Sequence, residues 1–211
     1  MGARAAKWRA VFTITDNTPT EQNILFDCMT LARYAALCQE AGIVPIVEPE
    51  VLFSGGHTRA RAEEVTTMVL QKLFEQLQWN NVDLEGVILK SSMVLAGSEN
   101  TEQTPASGVA EASIRTFMNS VPPEVPGIVF LSGGQTPQRA TENLDAVAEQ
   151  EAQEGGYPWE FAFSFSRGIE QPVQEAWQGK DENIQVAQEA LIKRLQLNSM
   201  ADQGTYDVNM E

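Results

Sequence analysis

TEQNILFDCMTLARYAALCQEAGIVPIVEPE, residues 20–50, decides the fold of this chain. In its first part apolar residues recur at helical spacing, which predicts a helix over 20–41. Gly42 is suited to end that helix, because glycine readily adopts the left-handed conformation found just after helix C-termini. The run that follows, Ile43–Val47, is apolar and rich in β-branched residues, as in a strand covered on both faces. The stretch therefore predicts one helix–strand step of a parallel α/β fold.

The same alternation extends over most of the chain. Four more short apolar segments are predicted as buried strands, at 8–14, 87–89, 128–131 and 161–163. Further helical patterns cover 58–78, 105–120, 136–150 and 181–197. A strand recurs about every 40 residues, so we expect five βα units with a parallel sheet. We expect residues 1–199 to form one α/β domain and the polar tail 200–211 to be mobile.

Composition excludes several classes of function. The chain has 211 residues and a formal charge of −15, which argues against a general nucleic-acid or anionic-membrane surface. A single histidine, His57, leaves no room for a multi-histidine metal site. Cys28 and Cys38 lie in one predicted helix and are interpreted as two reduced thiols. No targeting segment and no apolar run of about 18 residues is visible, so we expect a cytoplasmic protein.

Polar and charged residues fall where the predicted strands end. The carboxyl ends of parallel strands meet at one edge of a sheet, where active sites of α/β folds assemble. We therefore expect these side chains to converge, together with two basic residues on one face of the first strand. The residues are Lys7 and Arg9 of the first strand, then Glu48, Glu50, Lys90, Ser132, Gly133, Gly134, Ser166 and Arg167.

Lys90 ends the strongly apolar run Val87–Leu89. Partial burial there favours the neutral amine that Schiff-base chemistry requires, and Lys7 nearby would add to the effect. The alternative is a lysine that reaches solvent or forms an ion pair with Glu48. Glu48 and Glu50 share one strand face and could transfer protons beside a lysine, or could simply pair with Lys7 or Lys90.

Ser132-Gly133-Gly134 precedes a predicted helix, and such a turn exposes backbone N–H groups that can bind phosphate. Arg167, next to Ser166, could close the same site with a bidentate guanidinium. The alternative is that the glycines only permit a tight turn between strand and helix. We interpret His57 as a loop residue.

These residues lie in strings that together resemble the class I fructose-1,6-bisphosphate aldolase family. The similarity keeps its order and spacing from about Lys7 to Tyr206. The strings are Lys7-Trp8-Arg9, Ile43 to Glu50, Leu89-Lys90 with Met93, Val121 to Ile128, Phe130 to Gln135, Pro158-Trp159, Ala176-Trp177 and Gly204-Thr205-Tyr206.

The resemblance implies a lyase of glycolysis and gluconeogenesis, which reversibly cleaves fructose 1,6-bisphosphate to dihydroxyacetone phosphate and glyceraldehyde 3-phosphate. It implies that Lys90 is the Schiff-base nucleophile, Glu48 the acid and base, and Lys7 a second active-site lysine. Glu50 would orient the lysines, and Arg9 would approach one phosphate. The other phosphate would lie on Ser132, Gly133, Gly134, Ser166 and Arg167. The resemblance implies neither a metal nor a cofactor, because the protonated iminium polarises the substrate carbon. It also implies identical chains as candidate partners, in a homo-oligomer.

The sequence also departs from the family pattern. Ser91-Ser92 follows Lys90 where the family commonly has Pro-Asn, and Phe165-Ser166 stands where Tyr-Gly is frequent. The strand carrying Lys7 resembles the family's fourth, with only six residues before Lys7. We therefore expect an incomplete (β/α)₈ barrel, a TIM barrel reduced to five βα units, whose open sheet edges favour self-association.

Two other functions stay open at this point. One is a non-catalytic, truncated relative of the aldolases that acts as an interaction module. The other is a different Schiff-base barrel enzyme, such as a transaldolase-like or deoxyribose-phosphate aldolase-like protein. The Val-Glu-Pro-Glu and Leu-Ser-Gly-Gly-Gln strings disfavour the latter.

Overall fold

Strands and helices alternate in the computed structural model, which describes residues 2–211. The strands are β1 (Ala5–Phe12), β2 (Val44–Val51), β3 (Ile88–Ser91), β4 (Gly127–Phe130) and β5 (Glu160–Phe163). The helices are α1 (Glu21–Glu40), α2 (Arg59–Trp79), α3 (Ala106–Ser120), α4 (Pro137–Glu154), α5 (Arg167–Trp177) and α6 (Ile184–Ala201). Single 3₁₀ turns lie at Leu84–Gly86, Asp181–Asn183 and Val208–Met210.

All five strands pair in parallel in the order β1-β2-β3-β4-β5, which confirms the predicted fold class. Each connection advances one strand in the same direction, and such crossovers are right-handed, so the helices share one face of the sheet. Trp8 of β1 accordingly packs on Tyr34 of α1, with ring centroids 5.7 Å apart. Within residues 2–211, β1 and β5 each pair along one edge only, so the barrel is incomplete.

The core lies between the sheet and its helices. Val47, Leu89 and Ile128 come from three neighbouring strands and are fully buried, together with Leu73 of α2 and Phe117 of α3. Burying a side chain of this size contributes about 1.5–3 kcal/mol. This layer fixes the orientation of the strands, and hence the direction in which residues on the opposite face project.

Threonine begins three of the helices that follow strands. The hydroxyls of Thr20, Thr58 and Thr136 each accept a hydrogen bond from the backbone N–H three residues later, at 3.1–3.2 Å. Such caps satisfy N–H groups that have no partner within the helix. They set the ends of the loops that surround the carboxyl edge of the sheet.

Two helical features differ from the sequence prediction. Helix α5 was not predicted, because Gly168 and Pro172 interrupt its pattern. Residues 181–183 form a 3₁₀ turn rather than the start of the last helix, which begins at Ile184.

The C-terminal tail packs against α4 and α6. The N–H of Tyr206 donates to Asp145 at 2.9 Å, and the Glu211 carboxylate lies 2.6 Å from the buried Arg194 guanidinium. Both cysteines are free thiols, as predicted. No helix within residues 2–211 is both long enough and apolar enough to cross a membrane.

Candidate active site

The sheet face opposite the helices carries the charged residues of β1 and β2. Because Trp8 points to α1, its neighbours Lys7 and Arg9 project to the other face. The parallel register places Arg9 beside Glu48. A cleft of about 480 Å³ opens there, lined by Lys7, Arg9, Glu48, Glu50, Lys90, Leu131, Ser132, Gly133, Ser166 and Arg167. The fold thus brings together nine of the ten residues singled out in the sequence.

Glu48 lies between the two lysines of the cleft. Its Oε2 is 2.7 Å from Nζ of Lys7, and its Oε1 is 3.4 Å from Nζ of Lys90. Glu48 is 4% exposed and Lys90 is 8% exposed, whereas the Lys7 side chain is 42% exposed. One buried carboxylate therefore contacts a buried amine on one side and a solvent-facing amine on the other.

Glu50 contacts Arg9 and not either lysine. Its Oε2 accepts from Nε of Arg9 at 2.5 Å, and Glu50 itself is 4% exposed. This hydrogen bond raises the pKa of Arg9 above its ordinary value, so its positive charge is retained. The cleft consequently contains two parallel cation–carboxylate pairs, Lys7–Glu48 and Arg9–Glu50.

The loop after β4 forms a tight turn before α4. Gly133 and Gly134 have φ angles of +57° and +87°, in the left-handed region that glycine adopts without strain. The N–H of Gln135 donates to the Ser132 carbonyl at 3.0 Å and closes the turn. A Cβ at Gly134 would lie 3.4 Å from Nη2 of Arg167, so the absent side chain lets the guanidinium approach the backbone.

Arg167 is the first residue of α5, directly after Ser166. The next N–H, that of Gly168, donates to the Ser132 hydroxyl at 3.2 Å and ties the two loops together. The positive end of α5, the Arg167 guanidinium and the turn at Gly133 thus face one another at one end of the cleft. Backbone N–H groups and a guanidinium are the donors that phosphate oxygens prefer.

Sequence reasoning missed two contributors to this region. One is the N-terminus of α5. The sequence signal for it is Ser166, a residue type common just before helices, followed by the charged stretch that begins at Arg167. The other is Leu131, an apolar wall of the cleft that the pattern assigned only to a strand.

His57 lies outside the cleft, in the loop between β2 and α2, as interpreted. It lines a smaller cavity that shares Leu131 and Gly133 with the cleft. Burial lowers the pKa of His57, which favours its neutral form.

A model of the family "Fructose-bisphosphate aldolase class-I" matches residues 1–211, the whole chain. The chain belongs to the class I fructose-bisphosphate aldolase family. It is 44% identical over 205 residues to the fructose-bisphosphate aldolase, cytoplasmic isozyme 2, of Pisum sativum. It is likewise 44% identical over 205 residues to fructose-bisphosphate aldolase B of Gallus gallus. In both cases the match covers 97% of this chain and 56% of the relative.

A solved aldolase structure agrees with this membership. The fructose-bisphosphate aldolase of Plasmodium falciparum, in complex with TRAP and a small-molecule inhibitor, superposes with a TM-score of 0.93 at 43% identity. The superposition covers 98% of this chain and 59% of that one. The chain thus spans a little over half the length of the aldolases it matches, in line with five of the eight βα units of a complete barrel. Family and fold class are both as the sequence predicts.

Proposed function

We propose that this chain carries the Schiff-base half of a fructose-1,6-bisphosphate aldolase site, with Lys90 as the nucleophile. The observation that carries the proposal is the position of Glu48 between Lys7 and Lys90, at 2.7 and 3.4 Å. A carboxylate that contacts a buried amine can both take a proton from it and return one during covalent catalysis. A lone structural ion pair would not require a second lysine on the same carboxylate.

Lys90 must first be neutral to act. Glu48 accepts a proton from the Lys90 ammonium, and the freed amine attacks C2 of the ketose to form a carbinolamine. Glu48 then returns the proton to the former carbonyl oxygen, which leaves as water, and the C2 carbon becomes an iminium of Lys90. The first transfer occurs between groups that are already in contact, since Lys90 Nζ lies 3.4 Å from Oε1 of Glu48, which keeps its entropic cost low.

The iminium then accepts the electrons of the C3–C4 bond. When the C4 hydroxyl loses its proton, this bond breaks, glyceraldehyde 3-phosphate leaves, and an enamine of dihydroxyacetone phosphate stays on Lys90. Protonation at C3 and addition of water release the second product and regenerate the amine. Lys7 contributes positive charge beside Glu48, with its Nζ 2.7 Å from the carboxylate.

The phosphates are assigned to the two ends of the cleft. Ser132, Gly133, Gly134, Ser166 and Arg167 supply hydroxyl, backbone and guanidinium donors for the phosphate next to the reacting carbonyl. Arg9 is proposed to bind the second phosphate. Glu50 is proposed to hold Arg9 in place, since its Oε2 accepts a hydrogen bond from Nε of Arg9 at 2.5 Å.

We propose a cytosolic location, which is supported by relatives that are named as cytosolic or cytoplasmic isozymes. The substrates proposed are fructose 1,6-bisphosphate and the two triose phosphates. A second copy of the chain is a further candidate partner, since the sheet has open edges in residues 2–211.

Trapping of the covalent adduct tests the proposal. The chain is incubated with dihydroxyacetone phosphate and borohydride, and the modified lysine is identified by peptide mass spectrometry. We expect one adduct, on Lys90, which Lys90→Met abolishes and the exposed control Lys193→Met leaves in place. Absence of an adduct on Lys90 in a folded wild-type chain would overturn the assignment. Cleavage of fructose 1,6-bisphosphate is assayed separately, because it also requires removal of the proton from the C4 hydroxyl.

A further inference from the structure

Ser92 connects the two strand ends that carry the catalytic pair. Its hydroxyl accepts from the N–H of Val51 at 3.1 Å and donates to the carbonyl of Val51 at 3.0 Å. Val51 directly follows Glu50, and Ser92 lies two residues after Lys90. A single buried hydroxyl, in a residue 6% exposed, therefore satisfies both backbone polar groups of the last residue of β2.

Backbone pairing alone does not hold this part of the sheet. The register between β2 and β3 comprises Ile46 with Ile88 and Val47 with Leu89, and it is the shortest register in the sheet. Glu48 and Lys90 come immediately after the last of these pairs. The Ser92 hydroxyl restores a connection beyond them, so the catalytic pair lies between a backbone ladder on one side and a side-chain bridge on the other.

We propose that Ser92 is a positioning residue, which sets the separation of Glu48 and Lys90 by bridging β2 to the end of β3. The inference rests on the proposed function, since it concerns the approach of those two side chains. Without the bridge, the N–H and carbonyl of Val51 lose a buried partner, and the ends of β2 and β3 can separate. A displacement of about 1 Å in a catalytic pair can reduce a rate by up to about 100-fold.

Three variants separate positioning from simple stabilisation. Ser92→Ala removes the hydroxyl, and Ser92→Thr retains it. The control is Ser113→Ala, which also removes a buried serine hydroxyl that accepts a backbone hydrogen bond, from Val94 at 2.8 Å. Ser113 lies on α3, outside the cleft, so a general loss of stability would affect both alanine variants alike.

The first readout is the rate at which borohydride traps dihydroxyacetone phosphate on Lys90. We expect Ser92→Ala to lower this rate at least 10-fold, and Ser92→Thr and Ser113→Ala to stay within about 3-fold of the wild type. Equal losses in Ser92→Ala and Ser113→Ala would overturn the inference, because both would then reflect stability alone.

The second readout does not depend on aldolase chemistry. Acetylation of lysines by acetic anhydride is followed residue by residue with mass spectrometry. A loosened strand end exposes the Lys90 amine, so we expect its acetylation to become several-fold faster in Ser92→Ala and to stay unchanged in Ser113→Ala. If the wild type forms no adduct, the proposed function fails while this measurement still decides the role of Ser92. Unchanged acetylation in Ser92→Ala, or in Ser92→Cys should the alanine variant not fold, overturns the inference.

Discussion

The Nζ atom of Lys90 lies 3.4 Å from Oε1 of Glu48, and the two residues come from the neighbouring strands β3 and β2. Both are more than nine-tenths buried. A buried ion pair of this kind contributes little net stability, because the desolvation of both charges offsets their attraction. Its position in the cleft is better explained by chemistry that moves a proton between the two groups.

Replacing Glu48 by Gln keeps the shape of the side chain and removes its proton transfer. We expect the rate of adduct trapping on Lys90 to fall about 10²–10⁴-fold, the usual contribution of general acid–base catalysis. The exposed control Glu124→Gln should trap at the wild-type rate. A Glu48→Gln chain that traps dihydroxyacetone phosphate as fast as the wild type would remove Glu48 from the mechanism.

Replacing Arg167 by Ala removes the guanidinium from the turn at Gly133 and Gly134. We expect the dihydroxyacetone phosphate concentration for half-maximal trapping to rise about 10–100-fold, since a charge-assisted hydrogen bond contributes about 1.5–3 kcal/mol. The maximal trapping rate should change little, because Glu48 forms ion pairs with Lys7 and Lys90 and not with Arg167. Arg33→Ala, at an exposed position on α1, is the matched control. A lower maximal rate with unchanged half-saturation would contradict a phosphate-binding role.

The sequence predicted the strands well because each contains a short run of apolar, β-branched or aromatic residues, a local signature that does not depend on the rest of the chain. It also predicted which residues share the cleft, since parallel strands place their carboxyl ends together. It did not predict α5, because Pro172 and Gly168 lower local helix propensity and tertiary packing overrides them. The sequence also did not predict that Glu50 pairs with Arg9 rather than with a lysine. Which side chains meet depends on the register between β1 and β2, which the sequence pattern does not specify.

Arg115 of α3 forms a bidentate pair with Glu63 of α2, with distances of 2.6 and 2.8 Å. The hydrogen bond from Arg115 lowers the pKa of Glu63 below its ordinary value. A carboxyl whose pKa is lower in the folded state stabilises the fold above its unfolded pKa, about 4.3 for glutamate, and loses this contribution as the pH falls through the folded pKa.

Glu63→Gln should therefore reduce the free energy of unfolding by about 1 kcal/mol at pH 7, at the upper end for partly exposed pairs. The difference from the wild type should shrink below about pH 4. Urea unfolding at pH 7, 4 and 3 measures it. Glu64→Gln, which breaks the more exposed pair with Arg61, is the control and should cost less. A difference that grows on acidification would refute the assigned direction.

The open edge of β1 should make this chain associate with copies of itself. Within residues 2–211 its far side has no strand partner, and Trp8 and Val11 are 50% and 42% exposed there. Unpaired edges with apolar side chains favour intermolecular pairing, whereas a lysine on the edge opposes it. We expect sedimentation velocity to detect concentration-dependent association of the wild type, reduced in Val11→Lys. Phe26→Lys, which makes the same charge change at a residue 64% exposed on α1, should leave the association unchanged.

Because the chain carries a charge of −15, added salt should strengthen the association by screening repulsion between copies. A monomer at all concentrations and salt levels, with one cooperative unfolding transition, would mean that this edge is closed to other chains.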